Sequence, residues 1–188
     1  NCLWAKALSN NGGVYGYSLC TDVNGNVFLM GAFTGLFLTI GTTTLTNQGV
    51  NSIFIVKYDN NGNVIWVKGA GGATTQHGSK ILTDQNGNLF LVGEFTSPTI
   101  TFGTTTLTNA GNDDMFLVKY DTNGNVLWAK SYGGLNDDSG YGITSDSNGN
   151  TIVAGRFDSP TITFGTTILT NVNFGDAFLV KFDANGNE

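Results

Sequence analysis

The chain has 188 residues, of which 40% are hydrophobic and 12% aromatic, enough apolar material for a packed core without a cofactor. Only 12% are charged, and a net charge of −6 with a pI near 4.5 argues against nucleic acid as a partner, because phosphate binding needs clustered Lys and Arg. No apolar run approaches the roughly 20 residues of a membrane-spanning helix, and 27 glycines with abundant Asn and Thr predict turns and strands with almost no helix.

In chain order the first element is Cys2–Lys6, which carries Trp4. Trp66 and Trp128 follow at steps of 62 residues, and everything around them recurs at that spacing, so one unit is written three times. The frame places approximate units at 7–68, 69–130 and 131–188, with 1–6 as a further strand. The second copy shows the predicted elements most clearly. A glycine-rich link, Gly69–Gly78, matched by Ser131–Gly140, leads to a first strand over Ser79–Asp84. A tight Asp-x-Asn-Gly-Asn turn then gives a second, apolar strand over Leu89–Phe95. The stretch Ser97–Asn109 alternates Thr with apolar residues and reads as a small extra hairpin. A third strand over Met115–Asp121 joins a fourth, Val126–Lys130, through a second Asp-x-Asn-Gly-Asn turn. In both turns Gly supplies positive φ and the leading Asp accepts from backbone amides, so Asp22, Asp59, Asp84, Asp121, Asp146 and Asp183 read as structural. Calcium is the competing reading for these turns, but an EF-hand loop has twelve residues and ends in a bidentate Glu. In an up-and-down meander the tight turns share one end and the long loops the other.

The chain begins within one repeat and stops within another. Cys2–Lys6 matches a fourth strand, and Phe178–Asp183 matches a third strand lacking its hairpin partner. A processed piece, part of a longer chain, or one subunit of a ring completed by others would each look like this, with strand exchange between the termini closing a unit in cis or in trans. No signal peptide precedes the first repeat, and one removed earlier would leave no trace. Cys2 and Cys20 align with aliphatic residues or Thr and read as small buried hydrophobes; a disulfide between them is the alternative for a secreted chain.

Residues shared by all three copies are scaffold, and function is expected where copies differ. Six of the eight basic residues occupy two repeat positions, and only Lys80 and Arg156 stand outside them. Glu94 and Arg156 occupy equivalent positions, where they form a salt bridge or line a polar pocket. His77 is the single histidine, too few for a His-rich zinc site, and no Gly-x-Ser-x-Gly accompanies it, so no catalytic or metal residue is assigned. Gly69–Gly72 lacks the Gly-Lys-Ser/Thr ending of a nucleotide loop. A glycosidase would need two carboxylates at fixed separation. Asp113, Asp114, Asp137, Asp138, Asp158 and Asp176 lie outside the turns, and Asp137-Asp138 is the most individual acidic spot. With Tyr15, Gln76, His77, Asn136, Tyr141 and Phe174 these acids, Asp158 and Asp176 apart, make the loop-end candidates for ligand binding.

Units of four antiparallel strands, repeated, suit a β-propeller; a β-trefoil or β-prism shares the threefold count but has shorter repeats. The order Trp-x-Lys, Gly-Gly, Asp-x-x-Gly-Asn, Gly-x-Phe, Phe-Leu-Val-Lys-Tyr-Asp and Asn-Gly-Asn, seen in Trp128–Gly155 and Phe116–Asn125, resembles the SBBP-type bacterial β-propeller repeat over essentially the whole chain. That resemblance implies an all-β propeller of a secreted or cell-surface protein. The expected function is a non-catalytic scaffold, adhesion or binding module that meets a protein or glycan through its long-loop face and forms a homo-oligomer or part of a longer propeller. A lectin-like propeller and a glycan-active hydrolase using loop carboxylates are the alternatives.

Overall fold

The computed structural model describes Asn1–Glu188 and holds seventeen strands and no helix. In the first repeat these are β1 (Val14–Thr21), β2 (Val27–Phe33), β3 (Phe37–Ile40), β4 (Thr43–Thr46), β5 (Ser52–Tyr58) and β6 (Val64–Gly71). The second has β7 (Gln76–Thr83), β8 (Leu89–Phe95), β9 (Thr99–Phe102), β10 (Thr105–Thr108), β11 (Asp114–Tyr120) and β12 (Val126–Tyr132). The third has β13 (Asp138–Ser145), β14 (Thr151–Phe157), β15 (Thr161–Phe164), β16 (Thr167–Thr170) and β17 (Asp176–Phe182). All pairs are antiparallel. The first sheet has the order β1-β2-β5-β6, the second β7-β8-β11-β12, and the third stops at β13-β14-β17. The threonine-rich stretches fold as the expected hairpins, and β9 also pairs with β6, Ala70 opposite Phe102, so the hairpin of one repeat extends the sheet before it.

Burial explains the strand patterns. β5 and β11 are buried at every residue, because each lies mid-sheet between covered faces, and they read as unbroken apolar runs such as Ile53-Phe54-Ile55-Val56. The first strand of each repeat carries a bulge, between Gly16 and Ser18, Gly78 and Lys80, and Gly140 and Gly142. The extra residue interrupts the period of two. That is why the second copy's first strand begins at Gln76 rather than at the expected Ser79.

Successive sheets stack in order. β7 packs on β1, β2 and β5, and β13 packs on β7, β8 and β11. The tryptophans join the sheets. Trp66 on β6 donates its indole N–H to the carbonyl of Thr122, 3.1 Å away in the next repeat's turn, and Lys57 Nζ reaches the same carbonyl at 3.4 Å. Lys119 Nζ repeats the contact with Ala184 at 3.0 Å, and Trp4 with Asn60 at 3.2 Å. The indole lies across the glycine of that turn. A Cβ on Gly124, whose φ is +76°, would stand 3.1 Å from the ring of Trp66, and one on Gly186 2.9 Å from Trp128. These glycines therefore satisfy both the turn and the neighbouring sheet.

Two sequence expectations are corrected. Cys2–Lys6 is not a strand: it lies against the first sheet through Trp4, but β17, the strand it would complete, is not beside it. Cys2 is exposed rather than buried, and both thiols are free. Burial, and then Asp22, push the half-buried Cys20 thiol up to about 12.

Candidate functional site

The two ends of the sheets differ in chemistry. At the tight-turn end, all six aspartates are saturated in one pattern. In Asp59, Oδ1 accepts from the amides of Asn61 and Asn63 at 2.9 and 2.7 Å, and Oδ2 from the Asn63 side chain at 2.8 Å. Asp22, Asp84, Asp121, Asp146 and Asp183 repeat it. Three aspartates add a lysine from the third strand: Lys57 lies 3.3 Å from Asp22, Lys119 3.8 Å from Asp84 and Lys181 2.7 Å from Asp146. Hydrogen bonds from the Asn63 side chain and amide hold the Asp59 carboxyl below its ordinary range, and Lys181 followed by Asn150 does the same for Asp146.

At the long-loop end, between the second and third sheets, a pocket is lined by Glu94, Asp113, Asp137, Ser139, Tyr141, Arg156 and Asp158. Glu94 stands near the end of β8, opposite His77 and Met115, and Arg156 takes the same place on β14, opposite Ser139. Tyr141 is the bulged residue of β13, which turns its ring outward at the rim. The loops supplying Asp113, Asp137 and Asp158 are tied by backbone bonds, Asp138 N–H to the Asp113 carbonyl at 2.7 Å and Asp158 N–H to the Asp137 carbonyl at 2.8 Å. Asn136 braces them by donating to the Asp158 carbonyl and, through its amide, to the Ser159 hydroxyl.

Beneath this pocket lies a buried acidic pair. Asp138 is fully buried and accepts from the Gly134 amide at 2.8 Å and the Ser159 hydroxyl at 2.6 Å. Asp114, 2% exposed, accepts from the Ala110 amide at 2.8 Å, while its Oδ1 has no partner. The two carboxylates face each other across Gly133, where a Cβ would stand 2.1 Å from Asp114 Oδ1 and 3.1 Å from Asp138 Oδ2. Burial pushes the Asp114 carboxyl up to about 6 against the Ala110 hydrogen bond, with Asp138 and Asp113 adding to the rise. At the first junction the equivalents of Asp114 and Asp138 are the neutral Ser52 and Gln76, which bond to Asn47 and to Ser97.

The structure brings the loop-end candidates Asp113, Asp137 and Tyr141 and the pocket candidates Glu94 and Arg156 into one pocket. Glu94 and Arg156 do not pair with each other. Arg156 Nε lies 2.8 Å from Asp158 and its guanidinium donates to the Phe174 carbonyl at 2.6 Å, whereas Glu94 lies 3.8 Å from His77. Gln76, Asp114 and Asp138 are corrected from loop-face ligands to interior residues, because the first residue of β7, β11 and β13 is already buried. His77 sits at the first junction against the ring of Tyr17, 4.8 Å between centroids; Tyr15 is exposed on the first sheet, and Phe174 is solvated. Ser139 and Asp158 complete the lining. Both differ from their counterparts in the other repeats, His77 and Tyr15 for Ser139, Thr96 and Thr34 for Asp158, and that variation is the signal by which the sequence could have shown them.

Four carboxyl side chains against one guanidinium make the pocket a hydrogen-bond acceptor, suited to amines, guanidinium groups or hydroxyls. No protein-family model matches the sequence. The chain is similar to an uncharacterized WD repeat-containing protein of Acanthamoeba polyphaga mimivirus, 33% identical over 131 residues, which are 66% of this chain and 9% of that protein. The chain thus spans a small part of the relative's length. Fold and likeness together define an all-β repeat protein of antiparallel sheets.

Proposed function

We propose that the chain is a segment of a β-propeller, each four-stranded sheet a blade, that serves as a non-catalytic binding module at a cell surface or in a secreted protein. The likeness to a WD repeat protein, the resemblance to the SBBP repeat and the serial stacking of meanders through their first strands support the propeller reading. The acidic pocket at the second junction carries the binding reading: its charged residues and Ser139 differ from the equivalent residues of the other repeats, while the Asp-x-Asn-Gly-Asn motif of the turn end recurs in all three. A protein partner offering a basic or hydroxyl-bearing side chain fits the carboxylates, and Tyr141, 52% exposed at the rim, gives it an aromatic surface.

Peptide and glycan arrays probed with the wild-type chain and with Glu94→Gln/Asp137→Ala test this. Binding to basic peptides that weakens with salt and is lost in the variant is the expected result. Binding confined to glycans would favour the lectin reading, turnover of a bound glycan the hydrolase reading, and binding unaffected by the variant would remove the pocket from the function.

A further inference from the structure

Each sheet has a face toward the next repeat and a face toward the previous one. On the first sheet Met30, Ile53 and Ile55 face the second sheet and are fully buried, in one cluster with Ile81 and Leu91. On the second sheet Val92, Met115 and Leu117 are fully buried in one cluster with Val153, against which Ile143 packs. The same positions on the third sheet are Ala154, Ala177 and Leu179, all exposed, Leu179 at 73%. The opposite end of the stack is its counterpart. Leu19 stands where the other sheets have Ile81 and Ile143, yet it is 69% exposed, and with Tyr17 and Leu29 it lines an open groove.

The polar contacts are unfilled in the same way. Lys57 and Lys119 each reach a turn carbonyl of the next repeat, but Lys181 is exposed and bonds only Asp146. Asn60, the equivalent of Thr122 and Ala184, accepts from Trp4 and from no lysine. Cys2–Lys6 already lies on the first sheet as the outer strand of a preceding sheet would, and β17 has no outer neighbour.

We infer that the third sheet of one chain docks on the first sheet of a second copy, reproducing head to tail the geometry of the two internal junctions. Leu179 then covers the partner's Leu19, Lys181 donates to the carbonyl of the partner's Asn60, and the partner's segment 2–6 lies beside β17. Ala154 and Ala177, smaller than their counterparts, leave room for Tyr17, which stands where the second sheet has Ser79. The second copy is the occupant because the missing surfaces are those that the chain already buries against itself twice. Two such contacts, related by a two-fold axis, close a two-chain ring, each contact joining the third sheet of one chain to the first sheet of the other.

Sedimentation equilibrium of the chain is expected to give twice its 19.9 kDa mass. Leu19→Asp and Leu179→Asp, both at exposed positions and checked for unchanged circular dichroism, are each expected to be monomeric. An equimolar mixture regains one intact junction and is expected to form an open dimer. A wild-type monomer at every soluble concentration would overturn the inference and assign these faces to further repeats of a longer chain. A wild-type dimer that either variant leaves intact, or a mixture that stays monomeric, would overturn it in favour of a different interface.

Discussion

The tight-turn end and the long-loop end of the same sheets solve opposite problems. At the turns every aspartate accepts the same three hydrogen bonds and each of the three third-strand lysines pairs with one of them, so polar groups there are matched within and between repeats. At the loops the second junction buries two carboxylates with few donors and opens onto a pocket richer in acids than in cations. Identity across repeats marks the end that assembles the stack, and divergence marks the end proposed to meet other molecules.

The contrast breaks first at the tryptophans. Trp66→Ala removes an indole that spans two sheets and its bond to Thr122, and should destabilise the chain by about 3 kcal/mol in urea denaturation. Gly124→Ala comes next. Its positive φ and its contact with the Trp66 ring should together cost about 2 kcal/mol, against about 1 kcal/mol for Gly87→Ala, whose φ is +77° but whose nearest neighbour is only the Thr122 methyl at 3.3 Å. A pair of equal effects in thermal melts would show that the indole contributes nothing to the glycine requirement.

The buried acids sharpen the comparison through pH. The folded chain holds the Asp114 proton more tightly than the unfolded chain, so stability falls as pH rises from the ordinary carboxylate range through about 6 and levels off above. Asp114→Asn, which keeps an acceptor for Ala110, should therefore raise stability at pH 8 by about 1.5 kcal/mol and leave it nearly unchanged at pH 4, measured by denaturation at both. The turn aspartates run the other way. With folded-state values depressed at Asp59, Asp146 and Asp183, their contribution is complete above the ordinary carboxylate range and is lost on acidification below it. The smallest effect is expected at the pocket rim, where Asp137→Ala should change stability by less than about 0.5 kcal/mol while altering any binding found on the arrays.

The turns and hairpins were legible because their information is local. Asn-Gly-Asn after Asp specifies its own φ and its own hydrogen bonds within five residues, and Leu89–Phe95 was placed to the residue by its apolar run. The contacts between sheets were not. Trp66 finds its acceptor 56 residues later, and no spacing in the sequence distinguishes a tryptophan bridging two sheets from one buried in a single sheet. Glu94, Arg156 and Asp137 could be named from divergence between repeats, but their convergence depends on how β8, β13 and β14 stack. The interior placement of Gln76, Asp114 and Asp138 is not legible in the sequence, because packing against the neighbouring sheet, rather than residue type, decides how far each strand is covered.

The three indoles occupy equivalent repeat positions that differ in their surroundings along the stack. Trp66 spans the first and second sheets, Trp128 lies over Gly186 of the third, and Trp4 rests against the first with Tyr58 beside it, 6.0 Å between ring centroids. Retaining one tryptophan at a time, with phenylalanine at the other two, turns each boundary into its own fluorescent gauge, so the order in which the stack comes apart becomes readable from a single chain.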